Sequence, residues 1–229
     1  MRTDQPLLRM SPRFSLSSAN SDPPLVIVVD DDASVRESLF ELILSAGFQP
    51  VTFASPQELL TADTLLDRAG CLILDVRMPG ASGLDLQQSL IRYGIARPII
   101  FLTAHGDVPM SVQAMKAGAI DFLVKPVRDQ ALLDAIVTGI AVDAARRREA
   151  TSVKENVERL YRLTPRERQV FQRVASGRVN KQIAFELGIS EVTVKLHRAN
   201  VMRKLQATSI GELIRIWDSL PQTHTEKVR

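Results

Sequence analysis

The sequence has a single cysteine, Cys71, no long apolar run, and almost no net charge, since 29 Lys and Arg stand against 26 Asp and Glu to leave +3. One cysteine excludes an internal disulfide framework and a structural zinc site of the multi-cysteine kind, and it points to a reducing compartment. Nothing approaches the roughly 20 apolar residues that a spanning helix needs. Near the start only Leu7 and Leu8 adjoin, among Arg2, Arg9, Arg13, Pro6 and Pro12, so the apolar stretch of a secretory signal is missing. The expectation is a soluble, cytoplasmic protein that makes no membrane contact. The small net charge conceals an asymmetry: residues 1–150 carry 14 basic and 18 acidic side chains, a net of −4, and residues 151–229 carry 15 and 8, a net of +7. A basic second half suits a polyanionic partner. With 229 residues, 45% of them apolar and 24% charged, the chain is ordinary globular material but long for one compact domain.

Residues 1–24, rich in Ser, Pro and Arg and without apolar periodicity, predict a disordered leader. Apolar runs then alternate with helical patterns: Leu25–Val29, a helix over Val35–Ala46, Pro50–Phe53, a helix opened by the capping box Ser55-Pro56-Gln57-Glu58, Cys71–Leu74, a helix over Leu84–Arg92, Pro98–Leu102, a helix over Pro109–Ala117 stopped by Gly118, Ile120–Val124, and a helix around Asp129–Val142. Short, wholly apolar strands between amphipathic helices predict a doubly wound α/β domain, a five-stranded parallel sheet covered on both faces, over residues 25–142. Charged sequence from Asp143, with Val153, Val157 and Leu160 at helical spacing, predicts a connecting helix, with residues 143–157 as the linker.

An all-α unit follows over 158–222, with a tail at 223–229. Thr164-Pro165-Arg166-Glu167 is a capping box for a helix bearing Val170, Phe171 and Val174 and ending at Gly177. Asn180 is expected to cap a short helix with Ile183, Ala184 and Leu187. Gly188-Ile189-Ser190 then makes a tight turn, and Ser190 caps Glu191–Leu205, with Val194, Val201 and Leu205 inward. Two short helices joined by a glycine-bearing turn form a helix-turn-helix. Ser209-Ile210-Gly211-Glu212 predicts a further capping box for a last helix with Leu213, Ile214 and Trp217.

In an open parallel sheet the working crevice lies outside the carboxyl ends of the strands. The residues there are Asp30-Asp31-Asp32, Asp75, Thr103 and Lys125-Pro126. Carboxylates gathered without matching cations repel one another, and Mg²⁺ resolves this by taking carboxylates, waters and phosphate oxygens. A lysine complements a phosphoryl group as a point charge, and a threonine hydroxyl hydrogen-bonds one of its oxygens. The set fits an aspartate that accepts phosphate. Asp32 suits a helix cap better than a metal ligand. Asp75 runs into a Pro- and Gly-containing loop with no helix start behind it, so capping does not explain it. His105 reads as a loop residue, and Cys71, at the start of a buried strand, as inert packing. A haloacid-dehalogenase arrangement is excluded because it wants a carboxylate two residues after the nucleophile, where this chain has Arg77.

Val28-Val29-Asp30-Asp31-Asp32, Leu74-Asp75-Val76-Arg77-Met78-Pro79-Gly80, Thr103-Ala104-His105-Gly106-Asp107 and Lys125-Pro126 together resemble a two-component response-regulator receiver domain, whose fold is flavodoxin-like. His105 to Met110 and Ala114 to Ala119 are especially similar to the nitrogen-fixation regulator (FixJ) subgroup. The resemblance implies that a sensor histidine kinase phosphorylates Asp75, and that Asp30, Asp31, Asp75 and the backbone carbonyl of Arg77 hold Mg²⁺. It further implies that Thr103 and Lys125 contact the phosphoryl group, that Phe122 is the aromatic switch, here without a tyrosine hydroxyl, and that Lys125-Pro126 is cis. It implies no enzyme activity in the ordinary sense, and dimerisation on phosphorylation through the segment from Met110 to Val124.

The second helix of a DNA-reading helix-turn-helix needs a packed inner face and a polar or basic outer one. Lys195, Arg198, Ala199, Met202 and Arg203 lie away from the Val194, Val201 and Leu205 stripe, while Arg178 and Lys181 border the helix before. Residues 158–222 resemble the LuxR-type DNA-binding domain through Leu163 to Arg168, Asn180 to Ala184, Leu187 to Ser190 and Thr193 to Leu205. By that resemblance the helix-turn-helix spans Asn180 to Ala199. Lys181, Lys195, Leu196, Arg198, Asn200 and Arg203 face double-stranded DNA, RNA polymerase is a partner, and Ala199 stands where some relatives are basic. Arg166 and Arg168 are open between ion pairs with Glu167 or Glu186 and phosphate contacts, and His197 reads as packed or capping. Two alternatives remain at this stage: a protein- or RNA-binding C-terminal module, and an unphosphorylated dimerisation scaffold.

Overall fold

A computed structural model describes residues 22–221 except His105. The leader up to Ser21 and the tail from residue 222 lie outside the described residues, so the expectations for them are neither met nor denied. The first domain runs β1 (Leu25–Val29), α1 (Ala33–Ser45), β2 (Gln49–Phe53), α2 (Pro56–Thr61), a 3₁₀ turn at Asp63–Asp67, β3 (Gly70–Leu74), α3 (Gly83–Arg92), β4 (Ile99–Thr103), α4 (Val108–Lys116) and β5 (Asp121–Val124). All strands are parallel, in the order β2-β1-β3-β4-β5. The chain reverses its direction of build between β1 and β3, which opens the crevice at their carboxyl ends.

Alternation along the three inner strands divides the core. Leu25, Ile27, Val29, Leu72, Leu74, Ile99 and Phe101 pack against Leu59, Leu86, Leu90 and Ala114 from α2, α3 and α4. Val26, Val28, Cys71, Ile73, Ile100 and Leu102 face Leu39 and Ile43 of α1 and Leu132, Ala135 and Ile136 of the helix after β5. The expectation of five wholly apolar strands holds for β1, β3 and β4 only. The edge strands β2 and β5 are largely half-buried, because each has one neighbour and part of one face open to water. Burial pushes the Cys71 thiol up to about 12, which suits the inert role.

The helix expected around Asp129–Val142 and the connecting helix expected after it are one element: α5 is a single helix, Asp129–Tyr161, of 33 residues, roughly 50 Å long at 1.5 Å per residue. No proline or glycine follows Gly139 within it, and Gly139 itself has no side chain because a Cβ would lie 3.2 Å from Cβ of Cys71. The N-terminal part of α5 covers the sheet and its end, at Leu160, enters the second core. In between, Asp143 is 1% exposed and locks the helix to the foot of β3. It accepts from the Gly70 amide at 2.9 Å, Arg146 at 2.7 Å and Arg147 at 2.6 Å. Arg147 in turn donates to the carbonyl oxygens of Asp67 and Arg68.

The second domain is α6 (Pro165–Ala175), α7 (Asn180–Leu187), α8 (Glu191–Leu205) and α9 (Ile210–Ser219), closed over Val170, Phe171, Ile183, Val194, Val201 and Leu213. Its caps refine the sequence expectations. Thr164 and Glu167 form a reciprocal box, as do Ser82 and Asp85 at α3, which the sequence reading missed. At α2 and α9 the cap serine accepts as expected, but Glu58 reaches the amide of Ala54 and Glu212 that of Thr208, each one residue beyond the box. Asn180 is not a cap: Val179 holds that position, its amide donates to Gln182, and the Asn180 side chain serves α8 instead.

For Asp143, burial alone would raise the carboxyl, yet the bonds from Arg147, Gly70 and Arg146 outweigh it and hold the group below the usual carboxylate range. A depressed acid stabilises the fold above its unfolded pKa and loses that contribution as pH falls through the folded value. Asp143→Asn should therefore cost about 3 kcal/mol in urea unfolding at neutral pH. The gap from wild type should narrow in acid, and an unchanged midpoint at pH 7 would remove this network from the account.

Candidate functional site

The register β1–β3–β4–β5 brings Asp30, Asp75, Thr103 and Lys125 to one rim, as the sequence order of strand ends predicts. Asp30, Asp75 and Thr103 are 2%, 9% and 1% exposed, whereas Asp31 is open to solvent. Each of Asp30, Asp31 and Asp75 offers one carboxylate oxygen within 4.8 Å of the others. That is the spacing and the all-oxygen chemistry a hard divalent cation takes, so the residues present fit a metal ion here. Asp32 is turned away as the cap of α1, its carboxylate accepting from the amides of Ser34 at 2.8 Å and Val35 at 3.4 Å, and the bonds from Ser34 hold it below its ordinary value.

Lys125 is the cation among the acids. Its Nζ lies 2.5 Å from Oδ2 of Asp30 and 3.7 Å from Oδ2 of Asp75, and its amide donates to the Thr103 carbonyl at 2.8 Å. The Lys125-Pro126 bond is cis, as expected. Burial pushes the Asp30 carboxyl up, and the bonds from Lys125 and the Asp32 amide oppose this only in part. Oδ1 of Asp75 accepts from the Arg77 amide at 3.4 Å.

Two residues that sequence reasoning passed over shape this rim. Arg36, on the first turn of α1, donates to the Asp30 carbonyl at 2.7 Å and fixes the acidic turn. Gly83 opens α3 so close to β3 that a Cβ would stand 2.2 Å from the Asp75 carbonyl oxygen. The first had no local signal; the second was legible as a glycine at a helix start, without its reason. Phe122 is half-buried and tilts against Phe101 at 6.0 Å between centroids. Gly106 lies on its ring, where a Cβ would come 2.8 Å from Cε1, so the loop after Thr103 and the Phe122 ring share one space. His105 falls in that loop, outside the described residues.

In the second domain Gly188 takes φ 64° and ψ 37°, a left-handed cap that turns α7 into α8, and Ser190 caps α8 through the Thr193 amide. Val194, Val201 and Leu205 are buried as expected. Lys195, Leu196 and Arg203 are exposed on the outer face, and Lys181 is exposed at the start of α7. Asn200 and Arg198 are half-buried, and Nη1 of Arg198 donates to Oδ1 of Asn180 at 2.7 Å, so Arg198 ties α8 to α7.

Of the two readings open for Arg166 and Arg168, ion pairs with Glu167 or Glu186 are not formed among the described residues. Arg166 donates to Gln169 and the Leu187 carbonyl, and Arg168 donates to the Tyr161 carbonyl and lies over the Tyr161 ring. Glu186 pairs with Arg173, and the buried Glu167 pairs with Lys204 at 2.6 Å, a link across 37 residues that no local pattern signals. His197 is half-buried, and its Nδ1 has no hydrogen-bond partner among the described residues, so it packs and does not cap.

With this geometry established, comparison places the chain among known proteins. The profile of the response regulator receiver domain matches residues 26–137, and that of the bacterial regulatory proteins of the luxR family matches residues 161–217. The chain is 49% identical over 212 residues to nodulation protein W of Bradyrhizobium diazoefficiens, covering 91% of this chain and 92% of that one. It is 45% identical to the response regulator protein TodT of Pseudomonas putida, over 86% of each. Among solved structures, the response regulator StyR is 49% identical and superposes with a TM-score of 0.73 over 86% of this chain and 98% of that one. Full-length FixJ from B. japonicum is 40% identical, with a TM-score of 0.54, over 87% and 98%.

Lys125 neutralises the acidic rim where a cation would sit, so Lys125→Ala should bind Mg²⁺ roughly fivefold more tightly, about 1 kcal/mol of relieved competition at an effective surface dielectric. Isothermal calorimetry on the two proteins checks this; equal or weaker affinity in the variant would show that the lysine does not compete.

Proposed function

The chain belongs to the response-regulator family, joining a receiver domain to a LuxR-type DNA-binding domain, and from that premise we propose that Asp75 is its phosphoacceptor. The protein is a phosphorylation-dependent transcriptional regulator, with a cognate sensor kinase upstream and DNA downstream. The observation that supports the assignment is the juxtaposition of a largely buried Asp75 with Lys125 at 3.7 Å inside a three-carboxylate cluster.

Asp75 attacks the phosphorus of the kinase phosphohistidine through a carboxylate oxygen. The phosphorus–nitrogen bond breaks, the imidazole leaves with the bond's electron pair, and an acyl phosphate forms. Lys125 shifts from the carboxylates to the new phosphoryl oxygens, and the Thr103 hydroxyl donates to one of them. Mg²⁺, held by Asp30, Asp31, Asp75 and the Arg77 carbonyl, would offset the charge of the incoming phosphate. The group is consumed as a signal, so the protein is not an enzyme in the ordinary sense.

The phosphoryl group favours whichever arrangement of Thr103 binds it better, and the shared space between the loop at Gly106 and the Phe122 ring carries that preference to the α4–β5 face. Dimers formed through the segment from Met110 to Val124 then place two helix-turn-helix units, Asn180 to Ala199, on paired half-sites of a promoter, with RNA polymerase as the further partner. Lys181, Lys195, Leu196, Arg198, Asn200 and Arg203 make the DNA contacts, Arg198 with one guanidinium nitrogen engaged by Asn180. The division is a receiver at 25–142, a linker at 143–157 inside α5 and the DNA-binding unit at 158–222. Among the described residues no helix is long and apolar enough to cross a membrane, and we place the protein in the cytoplasm.

Asp75→Asn should abolish labelling by acetyl phosphate and leave the unfolding midpoint within about 1 kcal/mol of wild type; persistent labelling moves the phosphoacceptor elsewhere. Lys195→Ala should weaken duplex binding by roughly tenfold and flatten the salt dependence of affinity by about one unit. Unchanged affinity across a salt titration would remove α8 from the groove, and a preference for single-stranded RNA over duplex DNA would favour the RNA-module alternative.

A further inference from the structure

One face of α8 is left uncovered by the packing of the second domain. Val194, Val201 and Leu205 are buried, while Val192 is 75% and Leu196 61% exposed, and Ala199 is open to solvent as well. At about 100° per residue Val192, Leu196 and Ala199 fall within about 60° of one another, nearly opposite the buried stripe. Exposed Lys195 borders them, and exposed Arg203 continues the line one turn beyond Ala199. Val192 belongs to the first turn, which the cap holds twice: Oγ of Ser190 accepts from the Thr193 amide at 3.1 Å and is hydrogen-bonded to the Thr193 hydroxyl at 2.9 Å. A β-branched valine on a helix has one strongly preferred rotamer, so Val192 points outward in a fixed direction.

An apolar stripe between basic side chains fits only part of what a major groove offers. The edges of guanine, adenine and cytosine present donors and acceptors there, and pressing a valine or leucine against them strips water from polar atoms and returns no hydrogen bond. Thymine adds an apolar group, the C5 methyl, that projects into the groove. Single exposed hydrophobic residues are ordinary, but two branched side chains one turn apart, on the line of α8 that faces away from its own core, form a continuous apolar surface. Its neighbours Lys195 and Arg203 make a polyanion the fitting occupant.

We propose that Val192 and Leu196 read thymine C5 methyl groups in the half-site, while Lys195 and Arg203 supply the charge that holds the stripe in the groove. The inference rests on the reading of α8 as the groove helix and adds what that helix selects. Val192 brings neither charge nor hydrogen bond, and it becomes a specificity-determining residue. Half-sites with thymine at two positions are preferred over the same half-sites with cytosine or uracil there.

The test starts from a pool of random-sequence duplexes, from which the full-length protein, treated with acetyl phosphate and Mg²⁺, selects its preferred half-sites by repeated gel shift. The best duplex is then remade with deoxyuridine for thymidine at one position at a time, a change that deletes the methyl and keeps every pairing hydrogen bond. At two positions per half-site the replacement should weaken binding by roughly fourfold, the worth of one buried methyl-sized group. Val192→Ala should bind the thymine and uracil duplexes equally at one of these positions, and Leu196→Ala at the other. Both side chains are exposed and alanine favours a helix, so both variants should fold. Full tolerance of uracil, as expected if another protein covers the stripe, would overturn the proposal. A methyl dependence that persists in both variants, the result expected if uracil acts through duplex flexibility, would overturn it as well. A protein that retains no duplex would overturn the DNA-binding reading along with it, whereas duplexes retained without regard to uracil would leave that reading standing.

Discussion

Everything at the top of the sheet answers to one electrostatic constraint: carboxylates crowd the ends of β1 and β3, and a single lysine faces them. Asp30 is nearly fully buried, and desolvation works against its charge; the Lys125 ammonium at 2.5 Å and the Asp32 amide work for it. Such a site is stable only while it is neutralised. A divalent cation and a phosphoryl group are therefore not additions to a finished structure. On the proposed mechanism they redistribute a charge balance that Lys125 otherwise meets alone, through its contacts to Asp30 and Asp75.

The opposite end of the same sheet carries the mirror problem, an excess of guanidinium groups around Asp143. There the charge fastens α5 to the foot of β3 through Gly70 and the carbonyls of Asp67 and Arg68. The acidic rim thus gathers three carboxylates around one ammonium at one end while the basic cluster anchors the connecting helix at the other. α5 runs unbroken into the second core at Leu160, so the sheet of the first domain and the DNA-binding unit share one helix. Within that unit Arg198 is held by Asn180 and Glu167 by Lys204.

Much of this was legible from residue order because the signals are local or periodic. Short, wholly apolar runs, capping serines and the glycine turn at Gly188 need only neighbours in sequence, and the rule that parallel strands deliver their carboxyl ends to one rim turns four separated residues into a site. Asp32 as a cap and Cys71 as inert packing followed from residue type and position alone. The fold, its two parts, and the gathering of Asp30, Asp75, Thr103 and Lys125 were determined in this way.

Tertiary structure decided what depends on partners distant in sequence. The attachment of α5 to the foot of β3 rests on Asp143 meeting Gly70, 73 residues away, which no periodicity announces. Arg198 is drawn to Asn180 across 18 residues, and Glu167 to Lys204 instead of to the arginines beside it. Arg97 turns Nη1 to three carbonyls of the Asp63–Asp67 turn and its exit, leaving Nε and Nη2 without a partner among the described residues. The physical reason is common to all of these: a charged side chain takes its partner from whatever the packed fold sets within hydrogen-bond reach, and sequence records the charge but not the reach.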